Sequence, residues 1–124
     1  MKNFRVLVYI KEPLVSLQLQ LELDRMGVDT AIVHDYREAA VLARTLALSF
    51  AVIDSHTCDM GDHTLEQALV NRQVSFIALH DGDPYTPAIA SRSIRVMSKP
   101  FLVEDMVAVI DEFRVDQAEN KRCG

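Results

Sequence analysis

The sequence predicts an α/β domain, a five-stranded parallel sheet with helices on both faces. Two observations predict it. Short apolar runs at residues 4–10, 30–33, 50–53, 75–79 and 94–97 have the length and composition of buried strands. Between them lie segments whose apolar residues recur at helical spacing, so strand and helix alternate along the chain. That alternation demands right-handed crossovers over a parallel sheet. At 124 residues with 49% hydrophobic content, the chain suits one domain with one core.

Each element has its own signal. The first strand, residues 4–10, is apolar almost throughout. Pro13 opens a helix, because its missing N–H is not needed in a first turn. Leu14, Leu17 and Leu21, and separately Val15, Leu19, Leu23 and Met26, then repeat at helical spacing until Gly27 supplies the stop. Residues 30–33 form the second strand. Residues 36–48 form a second helix with Ala39, Ala40, Ala43 and Leu46 as its packing face. The third strand, 50–53, leads into a loop at 54–62, and residues 64–71 make a third helix. Strands follow at 75–79 and 94–97, and the stretch HDGDPYTPAIASRS between them has room only for a stunted helix around residues 87–90. The last helix spans 103–113, with Val103, Met106, Val107 and Ile110 on one side. The domain is expected to occupy residues 1–115, and VDQAENKRCG reads as a frayed polar tail or linker at 116–124.

Composition excludes several classes of function. A net charge of −5 argues against indiscriminate binding to nucleic acid or to an anionic membrane, both of which need a basic face. No apolar run approaches the ~20 residues of a membrane span. The basic start is followed by Lys11 and Glu12 and not by the apolar stretch of a signal peptide. Cys58 and Cys123 make no disulfide framework, so the cytoplasm is the expected location.

In an open parallel sheet, ligands bind beyond the carboxyl ends of the strands. That rule directs attention to residues 10–12, 54–56, 80–81 and 98–99. No glycine-rich loop follows the first strand, which disfavours a dinucleotide site. His56, Cys58, Asp59 and His63 match no zinc spacing, and DGDP at 81–84 reads as a turn.

Three stretches, RVLVYIKEPLV, FAVIDSH and RVMSKPF, resemble the receiver domain of bacterial response regulators, the CheY-like superfamily, over roughly residues 4–113. The resemblance implies a flavodoxin-like, CheY-like sheet of order 2-1-3-4-5 with a shortened fourth helix. It implies that Asp54 occupies the phospho-acceptor position and Lys99 that of the lysine that pairs with the phosphoryl oxygens. Lys99–Pro100 would then be a candidate cis bond.

The departures from the family pattern are as informative. The two acidic residues that hold Mg²⁺ in receivers are replaced by Ile10 and Lys11. The Thr or Ser that ends the fourth strand is His80, and the aromatic switch residue is Val96. The loop DSHTCDMGDH, which includes His56, carries its glycine one place early. The mouth of the sheet thus changes from a formal charge of about −2 to about +1, or about zero if Glu12 turns inward, which no longer suits a hard divalent cation. Lys11 is expected either to take the place of the metal and pair with Asp54 or to point into water, with Mg²⁺ binding weak or absent and no other cofactor. Glu12 reads as a helix N-terminal acid. His80 either reaches Asp54 or bonds Asp81 or the backbone.

These readings imply a non-enzymatic pseudo-receiver in two-component signalling that acts by protein–protein contact. Its partner would be a histidine kinase, a phosphotransfer protein, an output domain or a second copy. The alternatives are a working receiver phosphorylated on Asp54 and a small flavodoxin-like module that binds an organic anion through Lys11 and Lys99.

Overall fold

The computed structural model describes residues 4–54, 64–80, 93–98 and 102–123. In chain order it contains β1 (Arg5–Tyr9), α1 (Pro13–Arg25), β2 (Asp29–Val33), α2 (Tyr36–Thr45), β3 (Phe50–Asp54), α3 (Thr64–Asn71), β4 (Ser75–His80), β5 (Ser93–Ser98) and α4 (Val103–Cys123). All five strands pair in parallel in the order β2-β1-β3-β4-β5. This is the order that the family resemblance implies. The stunted helix expected around residues 87–90 lies outside the described residues.

Because side chains alternate across a strand, the sheet divides the core in two. Leu7, Tyr9, Ala51, Ile53, Phe76 and Ala78 pack on one face against the small residues Ala39, Ala40 and Ala43 of α2 and Leu65, Ala68 and Leu69 of α3. Val6, Val8, Ile10, Phe50, Val52, Ile77 and Leu79 pack on the other against Leu19 and Leu23 of α1 and Val103, Met106, Val109 and Ile110 of α4. The helices expected on both faces thus cover two apolar layers, one on each side of the sheet. Both are built from complete burial of strand residues, which is why those runs are apolar at every position and not at alternate ones.

Helix boundaries follow local chemistry at some ends and tertiary contacts at others. Pro13 stands in the first turn of α1, and Glu12 takes the N-cap position without a side-chain capping bond. Asp35 caps α2 by accepting from the Glu38 N–H at 3.1 Å. Gly27 turns the chain out of α1 at φ 76°, a conformation glycine adopts at little cost.

Two helices differ from their expected lengths. The periodicity of α2 suggests residue 48, but the helix ends at Thr45 and Leu46 is extended. Arg72, just past α3, donates to the carbonyls of Ala43 at 2.9 Å and Leu46 at 2.6 Å. Those carbonyls lie where α2 stops, and the guanidinium from another element satisfies them. At the other extreme, α4 continues to Cys123, so the expected tail at 116–124 is helical up to that residue. No Gly or Pro interrupts residues 103–123, and Gln117, Ala118, Glu119, Lys121 and Arg122 all have good helix propensity.

Candidate functional site

Residues at the carboxyl end of the sheet form the candidate site. Asp54 is the last residue of β3 and is 1% exposed. Its Cα partner on β4 is Leu79, and the β1–β3 register pairs Tyr9 with Ile53, so Ile10 follows beside Asp54. Ile10 and Leu79 are both fully buried. The carboxylate therefore stands at the rim of an apolar layer, between two aliphatic neighbours.

Main chain just beyond β1 reaches Asp54. The Lys11 backbone N–H donates to Asp54 Oδ2 at 3.2 Å. The residue itself is exposed, just beyond the strand end. The Lys11 amide thus reaches Asp54 from beyond the strand end. The reason is geometric. A strand that ends at Tyr9 and re-enters a helix at Pro13 turns its backbone across the sheet end, and it brings an N–H from beyond the ladder toward the neighbouring strand.

Ile10 is buried, as the apolar run 4–10 predicts. It is a wall residue of the layer that contains Val8, Leu19 and Leu79, and it offers the mouth no polar atom. Glu12 is exposed at the N-cap of α1, in keeping with its reading as a helix N-terminal acid. His80 ends β4 opposite Ser98, and Val96 lies on β5 opposite Ala78. Both belong to the strands that the sequence assigned them. His56 and Lys99 lie outside the described residues, as do Pro100, Cys58, Asp59, His63 and the DGDP stretch.

The donor set can be tested against a divalent cation. Among the described residues no group of three His, Cys, Asp or Glu side chains gathers to hold a metal ion. Just beyond β1, at the two positions the resemblance matches to acidic residues, stand a hydrocarbon side chain, Ile10, and an ammonium, Lys11. Hard cations bind through oxygen.

A second polar cluster, unread from the sequence, lies on the opposite face of the sheet. The Tyr36 hydroxyl at the start of α2 donates to Glu66 Oε1 at 3.0 Å and accepts from the Leu65 N–H at 3.0 Å. Glu66 is buried, and the Tyr36 ring meets Tyr9 edge-on at 6.0 Å. This bond ties α2 to the first turn of α3. A glutamate in a helical segment gives no local sign that it will be covered, so sequence reasoning had no signal for it.

No family model and no curated protein sequence matches the chain. Solved structures do. The receiver domain of the Francisella response regulator 1452 superposes with a TM-score of 0.72 at 22% identity, covering 92% of this chain and 99% of that one. A member of a novel family of redox sensors in the streptococci, evolved from two-component response regulators, gives 0.79 at 20% identity, over 98% of this chain and 56% of the other. The receiver domain of the sensor histidine kinase PA1611 from Pseudomonas aeruginosa PAO1, solved with magnesium coordinated in its active-site cleft, gives 0.69 at 14% identity, over 90% and 98%. No helix among the described residues is long and apolar enough to cross a membrane. The chain has the fold of the CheY-like receiver domains of response regulators.

Proposed function

We propose that this chain is a receiver-like domain of two-component signal transduction that works by protein–protein contact and not by Mg²⁺-dependent phosphoryl transfer. The reading rests on one observation. Where a receiver carries its two metal-binding acids, this chain has Ile10, fully buried in an apolar layer, and Lys11, whose amide bonds the acceptor-position carboxylate. Phosphoryl transfer relies on bound metal and positioned cations to neutralise the phosphoryl oxygens. A lysine supplies charge as a point donor, but it cannot coordinate the carboxylate and a phosphoryl oxygen together. The domain is on this reading non-enzymatic, without cofactor, and a binding partner for a histidine kinase, a phosphotransfer protein or an output domain.

A second reading is favoured by Asp54 itself, which ends β3 in the acceptor position of the receiver fold. In that case Asp54 accepts a phosphoryl group with Lys99 as its counter-charge. Incubation with acetyl phosphate and Mg²⁺ followed by intact mass measurement separates the two. The proposal expects an unchanged mass. A phosphate adduct on the wild type that vanishes in Asp54→Asn overturns it in favour of the second reading. A third possibility, an organic anion drawn to Lys11 and Lys99, predicts a rise in Tm with phosphorylated metabolites and no adduct.

A further inference from the structure

The entry into α1 lacks a side-chain cap of its own. Glu12 holds the N-cap position in an extended conformation, φ −84° and ψ 111°, and its side chain makes no capping bond. Pro13 has no N–H to offer, and the Ser16 N–H makes the first helical bond, to the Glu12 carbonyl at 3.0 Å. The first turn carries no acid to favour the helix dipole. Residues 11–14 are all exposed, so burial contributes little to fixing the turn. The contrast with α2 is plain, since Asp35 caps that helix with its own carboxylate. At α1 a carboxylate arrives from another strand. Asp54 Oδ2 accepts from the Lys11 N–H at 3.2 Å, one residue before the N-cap.

We propose that Asp54 is a remote cap, a positioning residue that fixes the turn between β1 and α1 and, through it, the first turn of the helix. The carboxylate suits that task. It is 1% exposed and ends the central strand of the sheet, which has a paired strand on either side, so it is held more firmly than the exposed turn it reaches. Buried Ile10 anchors the other end of the turn. The bond is favoured from both sides. A charged acceptor binds an N–H more strongly than a neutral one, and a buried carboxylate short of a donor is costly. A change at Asp54 is therefore registered at residues 11–16, and the start of α1 reports at the surface on a side chain that is itself covered. This role goes beyond the function proposed above and holds whether or not Asp54 accepts a phosphoryl group.

Amide hydrogen exchange on the full chain, followed by NMR, tests this. Rates are compared with those of Val8 and Ile77, buried in the sheet, so that a general loss of stability cancels. In the wild type the Lys11 amide is protected although its residue is exposed. Asp54→Ala removes the acceptor, and the amides of Lys11, Leu14, Val15 and Ser16 exchange faster by about tenfold or more. Asp54→Val fills the space without an acceptor and behaves like Asp54→Ala. Asp54→Asn keeps an oxygen in place and holds those rates within about threefold of the wild type. An unprotected Lys11 amide in the wild type overturns the proposal without any variant. So do wild-type rates at residues 11–16 in Asp54→Ala or Asp54→Val, or an Asp54→Asn variant as fast as Asp54→Ala. No phosphoryl donor is present, so a phosphate adduct in the mass measurement would refute the function proposed above and leave the remote cap standing.

Discussion

Lys11 and Asp54, 43 positions apart in the chain, are joined through the main chain, with the Lys11 N–H donating to Asp54 Oδ2 at 3.2 Å. The bond needs no lysine side chain. Lys11→Ala is therefore expected to keep it and to change stability by less than about 0.5 kcal/mol, the usual range for an exposed position. The urea midpoint measures this. A loss of 2 kcal/mol or more, on the scale of about 1–3 kcal/mol for a stranded buried polar group, would show that the ammonium is what holds the carboxylate.

Recreating an acidic mouth should carry a cost that a metal can offset. Ile10 has no exposure, so Ile10→Asp puts a carboxyl among aliphatic side chains and is expected to destabilise by about 3 kcal/mol or more. In the double variant Ile10→Asp with Lys11→Asp, Mg²⁺ supplies the counter-charge. Its Tm should rise with millimolar Mg²⁺, whereas that of the wild type stays fixed. An equal response from both proteins would mean that oxygen donors beyond the described residues already bind the ion.

Tyr36→Phe removes the hydroxyl that links buried Glu66 to the Leu65 N–H. Leaving such groups short of a partner costs about 1–3 kcal/mol. Chemical denaturation should show that loss. An effect near zero would mean that water replaces the hydroxyl.

Two left-handed residues should respond in opposite senses. Gln73 holds φ 59° in the turn between α3 and β4, and Gly27 holds φ 76° with nothing within 4 Å of the place a Cβ would take. The left-handed region costs an L-residue roughly 1–2 kcal/mol. Gln73→Gly is thus expected to stabilise and Gly27→Ala to destabilise, each by about 1 kcal/mol. Both shifts are read from urea midpoints, and a destabilised Gln73→Gly would mean that the glutamine side chain makes a contact worth more than the strain.

The strands were legible because burial on both faces writes itself as continuous apolar sequence, as in Phe50 to Ile53. The helix α1 was legible at both ends, through Pro13 and Gly27, and so was Asp54 as the residue that leaves β3. What escaped depended on distant partners. The end of α2 is set by Arg72, a residue of another element, so the periodicity that includes Leu46 overruns it. The inner face of α4 includes Val109, which local spacing did not single out beside Val107. The amide on Asp54 and the covered Glu66 depend on which strands and helices become neighbours, and no local pattern reports that. The two leucine rows of α1 were both visible in the sequence, but only the packed structure says which one faces water.

The alternation in α1 also bears on how the chain reaches its native state. As an extended strand, residues 17–23 would place all four leucines on one side and the polar residues on the other, the pattern of a strand ready to pair with its like. Helix and strand thus compete for the same segment until the sheet arrives to cover Leu19 and Leu23. Refolding by dilution should lose yield to aggregation as the protein concentration rises. Leu21→Gln, which breaks the apolar row of the strand form and leaves the native interior untouched, should recover that yield, as light scattering during refolding would record.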